Sequence, residues 1–182
     1  MITEEKTLSS ERIYDGAILN LRRDVVTVKD GRTSYREIVE HSGGVIILGV
    51  TPQGKIPMIR QFRKAAEQVM FELPAGKLEK GEDPKEAALR EFKEETGYTA
   101  DRIRHAAAFY PTVGYSEEIL HIFFAEGLTP GETDFDDNES IEIEEFFPEE
   151  LYGLIDAGHM NDGKTMLAIL LYRNRPAALD EN

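Results

Sequence analysis

The sequence predicts an α/β domain of layered architecture, preceded by an antiparallel β-region. Segments rich in β-branched residues come first, and further strands are then interleaved with three segments of helical character. The chain has 182 residues, of which 41% are hydrophobic, and at this length roughly 70% of the unfolded surface can be buried. A hydrophobic core can therefore hold the fold without a disulfide bond or a structural metal.

The first forty residues are predicted to form strands. Ala17–Val28 is apolar and β-branched, and Lys29–Gly31 is a hairpin turn that leads into a second strand at Arg32–Glu40. A pair of glycines then breaks the pattern. We therefore expect a boundary between an N-terminal β-region, residues 1–42, and the main domain, residues 43–182.

The main domain is predicted to contain strands and three helices. The first helix has both ends marked, because Asp83 is an N-cap residue, Pro84 suits the first helical position and Gly97 suits the C-terminal end. An acidic loop, Thr129–Ser140, precedes the last strand. The predicted strands are Gly44–Val50, Lys55–Phe62, Val69–Leu73, Ala106–Tyr110, Glu118–Ala125 and Ile141–Phe147, and the later helices are Pro148–Ala157 and Asp162–Arg173, the last of them buried on most sides.

Composition excludes several classes of function. Cysteine is absent, which excludes disulfide frameworks, thiolate metal sites and thiol nucleophiles. The net charge of −14 disfavours binding to nucleic acids and anionic membranes, although metal ions could still bring a small anionic substrate to the protein. The longest apolar run, Gly44–Val50, is too short for a membrane span, and the N-terminus lacks a signal-peptide pattern. We expect a cytoplasmic protein.

The first helix places three carboxylates on one face. On a helical wheel Glu91, Glu94 and Glu95 are neighbours, and two like charges about 5.5 Å apart repel by roughly 3 kcal/mol at an effective dielectric of about 20. Arg90 and Lys93 offset part of this repulsion but are expected to point elsewhere. The alternatives are a solvated, glutamate-rich helix and a site for hard divalent cations, which prefer carboxylate oxygens.

The surrounding spacing favours the cation site. The segment GKLEKGEDPKEAALREFKEETGY, Gly76–Tyr98, resembles the 23-residue signature of the Nudix hydrolases at every fixed position. Aromatic residues occupy two slots where that family more often has Ile, Leu or Val. The resemblance implies a Nudix-type α/β/α sandwich with a mixed sheet. The matching positions are Gly76, Glu82, Arg90, Glu91, Glu94, Glu95 and Gly97, with Phe92 and Tyr98 in the apolar slots.

The resemblance also implies a metal site. Two or three Mg²⁺ ions are expected, with Mn²⁺ as a possible substitute. Gly76 is expected to permit a tight backbone turn, and Arg90 is expected to pair with carboxylates, together with Glu82, so that the loop is held against the helix. The implied metal ligands are the carbonyl of Ala75 and the side chains of Glu91 and Glu95, with Glu94 close by.

Four segments resemble the branch of ADP-ribose pyrophosphatases and nucleoside-diphosphate-sugar hydrolases: TSYREIVEH, IRQFRKAAEQ, FELPAGKLEKGE and DGKT. In that branch an N-terminal β-region swaps across a homodimer, and residues 1–42 fit this role. The arginine of the QFR segment, Arg63, is expected to contact substrate phosphates. Arg36 and Arg63 could instead be ordinary exposed arginines. The implied substrate-binding residues are Arg36, Glu37, Arg63 and Glu72.

A further carboxylate is expected from the acidic loop as general base or metal ligand. Glu139 matches the position of that glutamate in the branch, with Asp136, Asp137 and Glu142 as alternatives, and the implied catalytic residues are Glu139, Glu94 and Arg90. The four histidines lack ligand spacing and are interpreted as structural.

The implied reaction is Mg²⁺-dependent hydrolysis of the pyrophosphate bond of ADP-ribose or a related nucleoside diphosphate sugar, giving a nucleoside monophosphate and a sugar phosphate. The alternatives are another nucleoside diphosphate derivative, such as GDP-mannose or a dinucleoside polyphosphate, and a non-catalytic nucleotide-sugar sensor. Val113 stands where the branch usually has a loop proline, which leaves the preferred base and sugar open.

Overall fold

A computed structural model describes residues 2–135 and 140–174. The described chain divides into two compact units: residues 2–43 together with 109–120, and the remaining described residues. Within these described ranges, no helix is long and apolar enough to cross a membrane.

The first unit contains an antiparallel sheet with the strand order β1-β2-β3. Its strands are β1 (Lys6–Asp15), β2 (Asn20–Thr27) and β3 (Thr33–Glu40). The predicted strand at 17–28 is corrected at its start, because residues 17–19 lie in the turn between β1 and β2, where the Gly16 N–H donates to the Leu19 carbonyl at 3.1 Å. The predicted hairpin between β2 and β3 is confirmed.

The segment 109–120 pairs with the outer side of β3. The Val39 N–H donates to the Tyr115 carbonyl at 2.7 Å, and the Glu117 N–H donates to the Val39 carbonyl at 3.1 Å. An ion pair between Arg22 Nη1 and Glu117 Oε2, at 2.9 Å, adds a side-chain contact. These contacts occupy the edge of β3 at Val39, whereas β1 forms the other edge of the three-stranded sheet.

Seven further strands form two sheets with the orders β7-β4-β9-β8 and β10-β5-β6. Relative to the predictions, β8 begins earlier, β9 extends further and β7 is an additional strand. The strands are β4 (Gly44–Gly49), β5 (Ile56–Arg63), β6 (Gln68–Glu72), β7 (Ala75–Lys77), β8 (Thr99–Phe109), β9 (Leu120–Thr129) and β10 (Ile141–Phe146).

The three predicted helices are present as α1 (Pro84–Thr96), α2 (Pro148–Asp156) and α3 (Gly163–Asn174). Both predicted ends of α1 are confirmed. The Asp83 carboxylate accepts hydrogen bonds from two main-chain N–H groups of the first turn, at 2.9 and 3.3 Å, and Gly97 closes the helix in the left-handed conformation with φ 74°. In α3 only Thr165, Ala168 and Ile169 are fully buried, so this helix is less enclosed than expected.

One face of α1 packs on the sheet that contains β4. Ala88 and Phe92 belong to a buried cluster with Val45, Ile47 and Phe123. Because side chains at i and i+4 share a helix face, this apolar contact turns the glutamates of α1 toward the strand that precedes the helix. The core therefore sets the position of the carboxylates.

Candidate active site

Gly76 leaves room for the carboxylate of Glu91. A Cβ atom at position 76 would lie 1.8 Å from Glu91 Cδ and 2.1 Å from both carboxylate oxygens, so no other residue fits without displacing this side chain. The expected tight turn is wrong, because Gly76 lies within β7 and its φ is outside the left-handed region. The glycine is needed for close approach rather than for an unusual backbone conformation.

Glu95 approaches the same short strand. Its Oε2 atom accepts a hydrogen bond from the Ala75 N–H at 2.8 Å, and the residue is only 4% exposed. Glu91 and Glu95 therefore both meet the backbone at Ala75–Gly76. This strand segment also carries the Ala75 carbonyl that the sequence predicts as a metal ligand.

Arg90 binds three carboxylates around this site. Its Nε and Nη2 atoms donate to Glu82 at 3.0 and 3.1 Å, and its Nη1 atom donates to Glu91 at 2.8 Å and Glu94 at 3.1 Å. The expectation that Arg90 points away from the glutamates is therefore wrong, since its long side chain bends back toward them. The expected pairing of Arg90 with Glu82 is present, and it fixes the loop before α1 to the helix.

The donor set fits a hard divalent cation. Mg²⁺ prefers oxygen ligands and is commonly held by one or two carboxylates, with waters and substrate phosphates completing its coordination. Glu91 and Glu95 supply carboxylates beside one backbone segment. Among the described residues, no three His, Cys, Asp or Glu side chains form a group that could hold a metal. A bound ion would therefore also need backbone, water or substrate oxygens.

A second charged cluster lies where β5, β6 and α3 meet. Glu72 has a side chain only 2% exposed, and it accepts hydrogen bonds from Arg63 Nε at 2.7 Å and Arg63 Nη2 at 2.9 Å. Lys164 donates to Glu72 and, at 2.9 Å, to Asp162. Burial opposes ionisation of Glu72, but the two cations outweigh it and hold the pKa of this carboxyl below its usual range.

The two clusters influence each other electrostatically. The hydrogen bond to Glu72 is the main cause of the raised pKa of Arg63, and the negative charges of Glu95 and Asp162 raise it further. Arg63 therefore lies within the field of a predicted metal ligand. Arg63 and Glu72 lie in the second unit, as do the residues of the Gly76–Tyr98 signature.

Comparison with known proteins identifies the family. A NUDIX domain model matches residues 40–168, and a model of the nucleoside diphosphate sugar hydrolase N-terminal domain matches residues 5–39. The chain belongs to the Nudix family. It is 45% identical over 168 residues, 91% of each chain, to the ADP-ribose pyrophosphatase of Bacillus subtilis (strain 168), and 40% identical, with the same coverage, to the methanol dehydrogenase activator of Bacillus methanolicus.

A solved structure of an ADP compounds hydrolase shares the fold of this Nudix protein. The TM-score is 0.86, the match covers 99% of this chain and 98% of that chain, and the sequence identity is 19%. The predicted family and fold class are confirmed, as is the prediction that the chain is a Nudix pyrophosphohydrolase.

Two other predicted substrate residues of the Nudix protein lie in the first unit. Arg36 and Glu37 line a cleft of about 510 Å³, together with Val113 and the half-exposed rings of Tyr110 and Tyr115. Arg36 is held by both carboxylate oxygens of Glu5, with one contact at 2.8 Å. The cleft combines aromatic faces with charged hydrogen-bonding groups.

The sequence offers four candidates for the loop carboxylate. Glu139 and its alternatives Asp136 and Asp137 lie outside the described residues. The fourth alternative, Glu142, lies on β10 and pairs with Arg60 of β5 at 3.2 Å, with its side chain 76% exposed. Glu142 therefore serves as an exposed partner between neighbouring strands.

Sequence spacing also gave no sign of two contacts in the second unit. His105 Nε2 and His121 Nδ1 lie 3.2 Å apart, and burial, reinforced by His105, lowers the pKa of His121. Lys164 and Asp162 belong to the DGKT segment, and Lys164 contacts Glu72, which is 92 residues away in sequence. The DGKT motif drew attention to this segment of the sequence, but it did not identify Glu72 as the partner of Lys164.

Proposed function

We propose that this Nudix protein hydrolyses the pyrophosphate bond of ADP-ribose or a related nucleoside diphosphate sugar. Water adds to one phosphorus, the bridging P–O bond breaks, and the products are a nucleoside monophosphate and a sugar phosphate. The approach of the Glu91 and Glu95 carboxylates to the Ala75–Gly76 segment carries this proposal. The 45% identity to an ADP-ribose pyrophosphatase supports the choice of substrate.

We assign the metal site to the Gly76–Tyr98 signature and the residue before it. Glu91, Glu95 and the Ala75 carbonyl would hold two or three Mg²⁺ ions together with water and phosphate oxygens, and Mn²⁺ could substitute. When bound, these ions would neutralise the diphosphate and lower the pKa of the attacking water. Arg90 holds the metal ligand Glu91 and the neighbouring Glu94 in place through its hydrogen bonds.

We assign substrate binding to arginine and carboxylate side chains. Arg63 would contact the diphosphate, because a guanidinium can donate two parallel hydrogen bonds to phosphate oxygens. Arg36, Glu37 and the tyrosines of their cleft would bind the rest of the nucleotide or sugar. Glu72 would act on the substrate through Arg63, which it holds.

Glu139 is our candidate for the residue that orients or deprotonates the attacking water. Glu139→Gln should lower kcat by about 10²-fold or more, since general-base catalysis typically contributes about 10²–10⁴-fold. KM should change little, because Arg63 and the metal site would supply the binding energy. Asp137→Asn and Glu142→Gln are matched controls. If a control variant lost most of its kcat while Glu139→Gln kept the kcat of the parent, the catalytic carboxylate would instead be the one changed in that control.

We also propose a cytoplasmic homodimer formed through residues 1–42. Every residue of β1 is exposed, and the apolar side chains of Leu8 and Ile13 are 59% and 46% exposed. Both residues lie at irregularities in the pairing of β1 with β2, where β1 contains one extra residue. An exposed strand edge with apolar side chains is a surface that a second copy can cover. Light scattering should give twice the chain mass for the parent and the chain mass for Leu8→Lys. A monomeric parent would exclude the dimer.

A substrate panel tests the reaction. ADP-ribose, GDP-mannose, UDP-glucose and diadenosine polyphosphates would be incubated with the protein, Mg²⁺ and a phosphomonoesterase. Only cleavage of the diphosphate creates the monoesters from which phosphate is then released. Preference for ADP-ribose or another nucleotide sugar supports the proposal, preference for diadenosine polyphosphates supports a different hydrolase, and no turnover leaves the sensor alternative.

The variant Glu95→Gln tests the metal site. It should abolish most turnover and lose the thermal stabilisation that Mg²⁺ gives the parent, while the fold persists because the amide oxygen can still accept from the Ala75 N–H. Glu86→Gln makes the same change at an exposed position of the same helix and should behave as the parent does. Activity of Glu95→Gln within about threefold of the parent would contradict the assignment.

A further inference from the structure

The DGKT segment fastens the start of α3 to the end of β6. Asp162 Oδ2 accepts from the Thr165 N–H at 3.1 Å, and the fully buried Thr165 hydroxyl accepts from the Leu73 N–H at 2.9 Å. Lys164 lies between these anchors, and its side chain is 19% exposed. The segment thus gives the Lys164 ammonium a defined position beside Glu72.

Glu72 fixes one edge of the Arg63 guanidinium. Nε and Nη2 donate to the two carboxylate oxygens of Glu72 at 2.7 and 2.9 Å. A guanidinium has five N–H groups, so three are not used by this contact. Among the described residues, Arg63 has no other hydrogen-bond acceptor, and its side chain is 41% exposed. Arg63 can therefore hold Glu72 with one edge and donate to an anion from the adjoining edge.

Charge balance gives Lys164 a role in this arrangement. Glu72 and Asp162 carry two negative charges, and Arg63 and Lys164 carry two positive charges. Without Lys164, Arg63 would be the one cation among the described residues that is bonded to Glu72, whose side chain is 2% exposed, and its charge would be committed to that partner. With Lys164 present, the negative charge of Glu72 is shared between two cations.

We propose that Lys164 is a positioning residue, which shares the charge of Glu72 so that Arg63 remains oriented and able to bind a diphosphate. This inference rests on the proposed function, in which Arg63 contacts the substrate diphosphate. Lys164 acts through Glu72 and Arg63 and does not itself touch the substrate. Asp162 also accepts a hydrogen bond from Lys164, at 2.9 Å.

A double-mutant cycle tests the proposal with two readouts on the full chain. Calorimetry gives the Kd of magnesium pyrophosphate, and steady-state kinetics give KM and kcat for ADP-ribose. Lys164→Met should raise Kd and KM at least about tenfold and change kcat less, because the lost interaction serves binding. Lys164→Gln removes the charge but retains a hydrogen-bond donor, so it should change both constants in the same direction even if the Met variant folds poorly. Lys85→Met, an exposed lysine of α1, is the matched control.

The cycle separates positioning from direct contact. If Lys164 acts through Arg63, the double variant Arg63→Ala with Lys164→Met should bind no more weakly than Arg63→Ala alone. Additive losses would overturn the proposal in favour of a direct phosphate contact by Lys164. Unchanged binding in both Lys164 variants, or a parent that binds no pyrophosphate, would also overturn it. The binding of pyrophosphate could follow the expected cycle while the protein hydrolyses no nucleotide sugar. That result would support the positioning role of Lys164 and contradict the proposed function.

Discussion

All six residues of β4 are buried, whereas all ten residues of β1 are exposed. In the second unit Ile46, Ile47 and Leu48 are completely enclosed, so apolar burial stabilises it directly. Among the described residues 2–42, only Asp24 and Val26 are buried. A small sheet needs a covered apolar face for stability. The second unit therefore carries its own core, while β1 leaves a surface that another molecule could cover.

Two exposed ion pairs of the first unit differ from the ion pairs around the candidate active site. Arg23–Glu11 and Arg36–Glu5 join side chains that are exposed, and such pairs contribute only about 0–1 kcal/mol each. In the second unit the carboxylates of Glu72, Glu82 and Glu91 are 2%, 15% and 15% exposed. These buried pairs orient side chains around one site. The first sheet also has less exposed pairs, because Arg22 contacts the buried Asp24 at 3.3 Å.

The largest effect is expected from Gly76→Ala, which would break the site of the second unit. The new Cβ would overlap the Glu91 carboxylate, which must then leave its place beside β7. A displacement of about 1 Å can cost 10²-fold in rate, so turnover should fall at least about 10²-fold. Steady-state kinetics on the proposed substrate measure this effect.

Gly153→Ala is the matched control for that substitution. Gly153 lies in α2, and an added Cβ would have no neighbour within 4 Å. This variant should retain the parent's kinetics and should be as stable or slightly more stable, since alanine is the better helix former. Equal kinetics for Gly76→Ala and Gly153→Ala would contradict the role of Gly76.

The next effect is on stability. Ile47→Ala should lower the free energy of unfolding by about 2–5 kcal/mol, because a fully buried side chain leaves a cavity. Denaturant titration should give this loss at every protein concentration. The matched change Leu8→Ala should lower the unfolding midpoint only at concentrations where the parent is dimeric. If Leu8→Ala lowered the unfolding midpoint equally at all protein concentrations, Leu8 would stabilise the single chain, as Ile47 does, rather than a dimer.

The ends of α1 could be predicted because their signals are local. Asp83, Pro84 and Gly97 each act on neighbouring backbone groups, so their meaning does not depend on the rest of the fold. The three-residue strand β7 exists only through its pairing with β4, in which Gly76 faces Val45. No local pattern specifies that pairing. The purpose of Gly76 was missed for the same reason.

Side-chain partners in the site were harder to predict than its residues. The signature named Arg90 and the glutamates, but a helical wheel gives only the direction of each Cβ, and a long arginine can turn back. Lys164 and Glu72 are 92 residues apart, and their contact depends on how α3 meets β6. Charge pairing across the fold therefore required the structure.

A smaller effect is expected from acid titration of the buried pair in the second unit. The pKa of Glu72 is lowered in the folded protein from its ordinary value of 4.5. Its ionisation therefore stabilises the fold fully above pH 4.5, and this contribution is lost as the pH falls through the folded pKa. The difference in unfolding free energy between the parent and Glu72→Gln should shrink from about pH 6 to about pH 3. A constant difference would contradict the pairing.

The smallest effects on the free energy of unfolding are expected when one hydrogen bond of the second unit, or one ion pair of the first, is removed. Tyr98 donates to Glu145 at 2.6 Å, and this bond, followed by burial, raises the pKa of Tyr98 to about 12. Tyr98→Phe should cost about 0.5–1.5 kcal/mol at neutral pH. The phenol is neutral when it donates, so its contribution is complete below its ordinary pKa of 10.0 and is lost as the pH rises toward 12. Glu11→Gln, which breaks the exposed pair with Arg23, should cost less than about 0.5 kcal/mol. Denaturant titrations at about pH 7 and about pH 11 measure both variants. A larger loss of unfolding free energy for Glu11→Gln than for Tyr98→Phe at neutral pH would contradict the expectation that an exposed ion pair stabilises less than a partly buried hydrogen bond.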